Sequence, residues 1–258
     1  MQHLNNIFSK FHLGRKYLIR KKIGEQVKIL LQSSNPRNFL IEKNKKYYYL
    51  NEATVDTDFD RHYVYHPAWA SRKLKENDIG NHVDISSTLH FCSIISAFIK
   101  VNFFDYRPAN LKLSNLTCDS QDLTKLTFES SSIHSLSCMH TIEHVGLGRY
   151  GDPIDYYGDI KAIDELCRVL SVNGILLIVV PVGKQNKICF NAHRIYEPNQ
   201  FSEEFIKRGL ELKEFTLIPE RPEDGHLVEN PDASLMDKQE YACGCFMFTK
   251  KKNNFQRS

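Results

Sequence analysis

The chain has 258 residues, a formal charge of +3 and 41% apolar residues, enough for a packed core, so wholesale disorder is excluded. The charge is split: residues 1–50 hold 11 Lys/Arg against 2 Asp/Glu, a surplus of +9, whereas residues 51–258 carry a net −6. The longest apolar run, Ile175–Val180, is far short of the roughly 18 residues of a membrane-spanning helix.

The first residues, Met1-Gln2-His3-Leu4-Asn5-Asn6, lack the apolar stretch of a secretory signal. Seven cysteines in a chain of this length read as reduced thiols of a cytoplasmic protein. Residues 1–50 form a basic helical or irregular extension, with an apolar patch at Val27–Leu31 and a Tyr47–Tyr49 cluster. Residues 51–75 are dense in Asp, His, Tyr and Trp and read as a lid over a site. Pro67 after His66 suits a helix start there. From residue 82 short apolar segments alternate with helical spacing. Val83–Ile85 is a strand, Leu89–Ile99 a helix, and Val101–Phe104 a strand ending in Asp105. Leu113–Cys118 is a strand ending in Asp119, and Ile133–Met139 is a fourth. Ile160–Leu170 is a helix broken by Asn173-Gly174, followed by the wholly apolar strand Ile175–Val180 that a parallel sheet requires. A helix at Phe201–Arg208 and strands at Leu210–Ile218 and Cys243–Phe248 complete an α/β pattern with a mostly parallel sheet. Residues 51–258 are therefore expected to form one α/β domain.

Ligands of such sheets bind at the carboxyl ends of the strands, and three acids fall there: Asp84, Asp105 and Asp119. Asp105, about twenty residues after Asp84, stands where a carboxylate accepts hydrogen bonds from both ribose hydroxyls. Asp119 is placed for an exocyclic adenine amine. A pyrophosphate would need glycines in the first turn, and no glycine lies between Gly80 and Gly146. Ser86, Ser87 and Thr88 offer hydroxyls instead, which suit a carboxylate and an ammonium. Ribose, adenine and an amino-acid tail without phosphate describe S-adenosylmethionine.

His82-Val-Asp-Ile-Ser-Ser, Phe103-Phe-Asp105, Asp119 with Leu123, Leu126, Phe128 and Ser132, Ser137-Cys-Met-His-Thr-Ile-Glu-His144 and Glu165–Gly174 leading into Ile175–Pro181 resemble class I SAM-dependent methyltransferases in their usual order. Phe59–His66, Gly146–Asp152 and Phe190–Tyr196 resemble an uncharacterised branch of that superfamily found among bacterial surface-polysaccharide genes. The resemblance covers about residues 45–250. It implies a Rossmann-like fold with a seven-stranded sheet and a reversed last strand. It places Asp84, Ser86 and Ser87 at the methionine end of the cofactor, Asp105 at the ribose, Asp119 at the adenine, and Met139 and His140 beside the sulfonium. The serine pair replaces the usual glycine-rich turn.

Methyl transfer to oxygen needs alignment, exclusion of water and a base. His140, Glu143 and His144 are the candidates for the base, and bracing of the loop is their structural alternative. Arg149 in the glycine-rich Gly146–Pro153 segment could fork onto an acceptor phosphate or carboxylate. His193, Arg194 and Tyr196 follow the next strand, and His62 and His66 in the lid face the same pocket. No metal is expected: Cys243-Gly-Cys245 lacks nearby ligands, and Asp60, His62, His66 and His193 form no tight two-histidine motif. The basic extension carries no nucleic-acid motif. It reads as a solubilising surface, or as a weak contact with an anionic membrane. The function expected is O-methylation of a sugar-linked or small phosphorylated acceptor in surface-glycan synthesis. The rivals are an inactive binding protein of the same fold, a nucleotide-dependent oxidoreductase and a nucleic-acid methyltransferase.

Overall fold

The computed structural model describes residues 2–32 and 53–252. The chain divides into two units, Met1–Phe59 and Asp60–Ser258. In the first, helix α1 spans Gln2–Gln32, with Ile29 and Leu30 of the apolar patch exposed. The Tyr47–Tyr49 cluster lies outside the described residues. No helix among the described residues is long and apolar enough to cross a membrane.

The second unit begins with helix α2 (Arg61–Glu76), then β1 (Asn81–Ile85), α3 (Leu89–Ile95), β2 (Lys100–Asp105), β3 (Leu116–Ser120) and β4 (Ile133–Met139). A 3₁₀ turn at Ile142–His144 leads to α4 (Gly158–Val169) and the long β5 (Leu170–Val182). The hairpin β6 (Lys187–Cys189) and β7 (His193–Ile195) precedes α5 (Pro198–Ile206), β8 (Leu210–Ile218), β9 (Val228–Glu229), α6 (Ala233–Met236) and β10 (Ala242–Lys250).

The main sheet runs β3-β2-β1-β4-β5-β10-β8-β9. The first five strands are mutually parallel, and β10 is antiparallel to both β5 and β8. This is the expected seven-strand topology with its reversed last strand, extended at one edge by the two-residue β9. The order turns back between β1 and β4, and a sheet of this kind opens a crevice at that switch point.

The unbroken apolar run in β5 is explained by burial on both faces. Leu176, Ile178 and Val180 join a core with α4 and α5, through Ile163, Leu166, Phe201 and Phe205. Leu177 and Val179 join the opposite core with α2 and α3, through Trp69, Leu74, Phe91 and Ile95.

Helix α2 starts six residues before the expected start at Pro67, which lies inside the helix. Asp60 caps it by accepting from the Tyr63 N–H at 3.2 Å, and Arg61 donates to the Pro219 and Gly225 carbonyls. A local cap and a long-range anchor thus outweigh the proline signal. Trp69 tethers its middle, donating to Glu214 at 2.8 Å. Asn173-Gly174, expected to interrupt the chain after α4, falls within β5. Asn173 takes φ 61° there, and the register slips opposite Ile133–Ser135.

Candidate functional site

Beneath α3 the end of β1 carries a fully buried polar chain. Ser137 Oγ donates to Asp84, which also accepts from the Ser87 N–H at 2.9 Å. Because the Ser137 proton is committed to the carboxylate, its oxygen accepts from His82 Nε2 at 2.8 Å. His82 Nδ1 then accepts from Ser135 Oγ at 2.7 Å. Burial pushes Asp84 up to about 6 and His82 down to about 3. Ser87 Oγ accepts from the Met139 N–H at 3.0 Å, tying the turn after β1 to the end of β4. Asp84, Ser87 and Met139 are thus buried supports of the strand ends, and Ser86 (φ 59°) is the residue of that turn that reaches a cavity.

Two cavities open where the parallel strands end. The larger, about 460 Å³, is lined by Ser86, Asp105, Leu123, His140, Gly146 and Tyr150 among others. Asp105 ends β2, and its Oδ1 accepts from the Arg107 N–H at 2.7 Å. Arg107 then lies 4.7 Å over the Tyr150 ring, joining the loop after β2 to the glycine-rich loop at the cavity rim. Asp119 lies outside this lining: it is exposed and accepts from the Ser120 N–H, whereas Gln121 and Asp122 border the cavity.

The smaller cavity, about 410 Å³, is lined by His62, Tyr63, Glu143, Arg149, His193 and Tyr241 and shares His140 and His144 with the larger one. The left-handed backbone of His140 (φ 54°) ends β4, and the 3₁₀ turn then places Glu143 and His144 beside it. His140 Nδ1 lies 3.0 Å from Glu143 Oε1. His144 Nδ1 donates to the Ala192 carbonyl at 2.7 Å, and its Nε2 lies 3.8 Å from Glu143 Oε1. Burial raises the Glu143 carboxyl to about 7 and lowers His140 to about 4. Arg149 also donates to the Ala192 carbonyl, at 3.0 Å.

Gly146 (φ 79°) turns the loop that carries Arg149. A Cβ at this position would meet the Asp155 carbonyl oxygen at 2.1 Å, so no side chain fits.

Among the expected acceptor residues, His62, Arg149 and His193 meet in the smaller cavity. Arg194 and Tyr196 line neither cavity of this pair but border a third. Arg194 donates to the Val145 carbonyl at 2.6 Å and pairs with Asp159 at 3.5 Å, and the Tyr196 hydroxyl donates to Asp159 at 3.1 Å. They brace the loop from behind. His66 is fully buried, with Nδ1 donating to the His62 carbonyl at 2.6 Å and its ring edge-on to His140. Tyr241 and Ala192, not singled out from the sequence, complete the smaller cavity. Tyr241 precedes the reversed β10, and only the sheet order reveals its approach to His62, 5.3 Å between rings.

Residues 104–212 match a family described as "Caenorhabditis protein of unknown function, DUF268". No curated protein matches the chain. Its fold is similar to that of a candidate sarcosine dimethylglycine methyltransferase from Galdieria sulphuraria, with TM-score 0.51 and 12% identity over 72% of this chain and 85% of that one. It is also similar to an S-adenosylmethionine-dependent methyltransferase from Clostridium acetobutylicum, with TM-score 0.50 and 10% identity over 76% and 94% of the two chains. At such identities the likeness establishes a Rossmann-like methyltransferase fold.

Proposed function

We propose that the chain is a cytoplasmic SAM-dependent methyltransferase acting on a hydroxyl of a sugar-linked or small phosphorylated acceptor in surface-glycan synthesis. The observation that carries this reading is the pair of cavities sharing His140 and His144, one bordered by Asp105 and the other by Glu143 and Arg149. Because both cavities reach His140 and His144, a donor in one and an acceptor in the other would approach each other at these side chains, as an in-line transfer requires.

The residues fit the cofactor. The larger cavity, about 460 Å³, lies within the roughly 300–1,000 Å³ range of ligand sites. Asp105 would hold the ribose, the Ser86 turn would border the methionine end, and Gln121–Leu123 would border the adenine. The bound sulfonium would supply an activated methyl group.

Glu143 is the candidate base. One carboxylate oxygen is held by His140, and the other is buried without a hydrogen-bond partner. Arg149 and His193 give the smaller cavity an anion-friendly rim. The Ser86-Ser87 pair in place of the usual glycine-rich turn favours a second reading, in which the fold is kept without methyl transfer.

The first test is calorimetric titration with S-adenosylhomocysteine. The wild-type chain should bind one equivalent. Asp105→Ala should weaken binding at least about tenfold, as loss of a charged hydrogen bond of roughly 1.5–3 kcal/mol implies. Absence of binding by the wild type would overturn the reading.

A further inference from the structure

We infer that His62, His140 and Cys243 form a binding site for one divalent transition metal of the zinc class, with a fourth position open to the smaller cavity. Three separate elements bring the ligands together: the first turn of α2, the end of β4 and the start of β10. One ligand atom from each lies within 4.8 Å of the other two. Cys243 Sγ and His140 Nε2 are 3.5 Å apart. Donor atoms of a tetrahedral zinc site stand about 3.3–3.8 Å apart, given metal–ligand lengths of about 2.0–2.3 Å. That pair already has the required spacing, and the partly exposed His62 ring, stacked 5.6 Å from the His140 ring, would turn toward it to complete the set.

The surroundings supply a second, independent argument. A metal-bound histidine commonly donates its other ring nitrogen to a carboxylate, which fixes the tautomer that ligates. His140 does so: Nδ1 faces Glu143 Oε1 at 3.0 Å, leaving the Nε2 lone pair toward Cys243. Among the described residues, the buried side-chain polar atoms without a partner are His66 Nε2 and Glu143 Oε2, and both residues adjoin His140. Buried polar atoms are rarely left unsatisfied, and two such atoms on residues that adjoin His140 mark this part of the interior as fit for a further polar ligand.

The donor set selects the metal. Two imidazoles and a thiol suit zinc or cobalt, not magnesium or calcium, which require oxygen ligands. Binding would release one proton, that of the Cys243 thiol. The alternative use of the same atoms, a thiol nucleophile assisted by histidine, conflicts with the complete burial of Cys243. The metal site does not depend on methyl transfer.

The full chain, stripped with chelator and kept reduced, is titrated with Co²⁺ as the probe. One equivalent should produce a thiolate-to-cobalt charge-transfer band with the intense visible absorption of four-coordinate cobalt, and Zn²⁺ should abolish both. Cys243→Ser should remove the charge-transfer band, and Cys245→Ser should retain it. His62→Gln, at the partly exposed first turn of α2, should weaken binding at least tenfold. It provides the reading if Cys243→Ser fails to fold by circular dichroism. Absence of a stoichiometric band, or affinity unchanged in His62→Gln, would overturn the site.

Discussion

At the scale of single residues, Glu143 concentrates the chemistry. It is almost wholly buried, and His140 and His144 crowd one of its oxygens. Glu143→Gln keeps the shape and removes the base. Cofactor affinity should stay within about twofold, while turnover on a competent acceptor falls by roughly 10²–10⁴. Equal turnover of the two proteins would remove Glu143 from the reaction. The His82–Ser137–Asp84 chain makes a different prediction. His82 is held down to about 3, so its contribution to stability is complete above the unfolded value of 6.5 and lost as pH falls. Asp84 is raised to about 6 from 3.8, so its contribution is complete below the unfolded value and lost as pH rises. The two oppose each other between about pH 4 and 6. Asp84→Asn should expose the His82 slope: relative to wild type, its stability should fall by about 1.4 kcal/mol per unit as pH drops from 6 to 4. Urea melts across that range decide it, and a pH-independent difference would contradict the network. The spacing of apolar runs places Asp105 at the end of a strand, whereas His140 and Glu143 are singled out by the resemblance of Ser137–His144 to methyltransferases. The burial of Asp84 is not legible in the sequence, because Ser137 and His82 reach it through strand pairings that a linear pattern does not reveal. Arg194 looked like an acceptor ligand because an arginine near a pocket and an arginine bracing a loop from behind carry the same sequence signal.

At the scale of elements, the strongest apolar signals survived best. Ile133–Met139 and Leu210–Ile218 form with the expected bounds, since the first lies between polar Ser132 and His140 and the second between Gly209 and Pro219. The start of helix α2 is not legible in the sequence, because it depends on Asp60 and on Arg61 reaching the distant Pro219 and Gly225 carbonyls. The hairpin of β6 and β7 carried no strong period. The loop from Gly146 to Asp155 is the element on which the cavities most depend, since it borders the larger one and carries Arg149. Gly146 donates to Asp152 at 2.7 Å and accepts from the Asp155 N–H at 2.9 Å. Gly146→Ala adds a methyl group that overlaps the Asp155 carbonyl at a positive φ. The folded loop should lose about 1–3 kcal/mol, seen as faster hydrogen exchange across 146–158, with the global melting temperature less affected. Unchanged exchange there would show that the loop tolerates the side chain.

At the scale of the whole molecule, the charge split follows the division of the chain. The basic surplus lies in Met1–Phe59, whereas the parallel strands, both cavities and the buried carboxylates lie in Asp60–Ser258. The alternation of strands and helices was readable because both cores of the sheet demand apolar side chains, and β5 serves both. The meeting of α2 with β4 and β10 at His62, His140 and Cys243 was not readable, because residues so distant in sequence approach only through the order of the sheet. In the proposed function the larger cavity is a cofactor site placed beside a separate acceptor cavity. Crystals of the full chain soaked with S-adenosylhomocysteine test it most directly. Density for the ligand in the larger cavity, with its ribose hydroxyls on Asp105 and the smaller cavity left open across His140, is the predicted result. A saturating soak that leaves the larger cavity empty, or that places the ligand elsewhere, would contradict it.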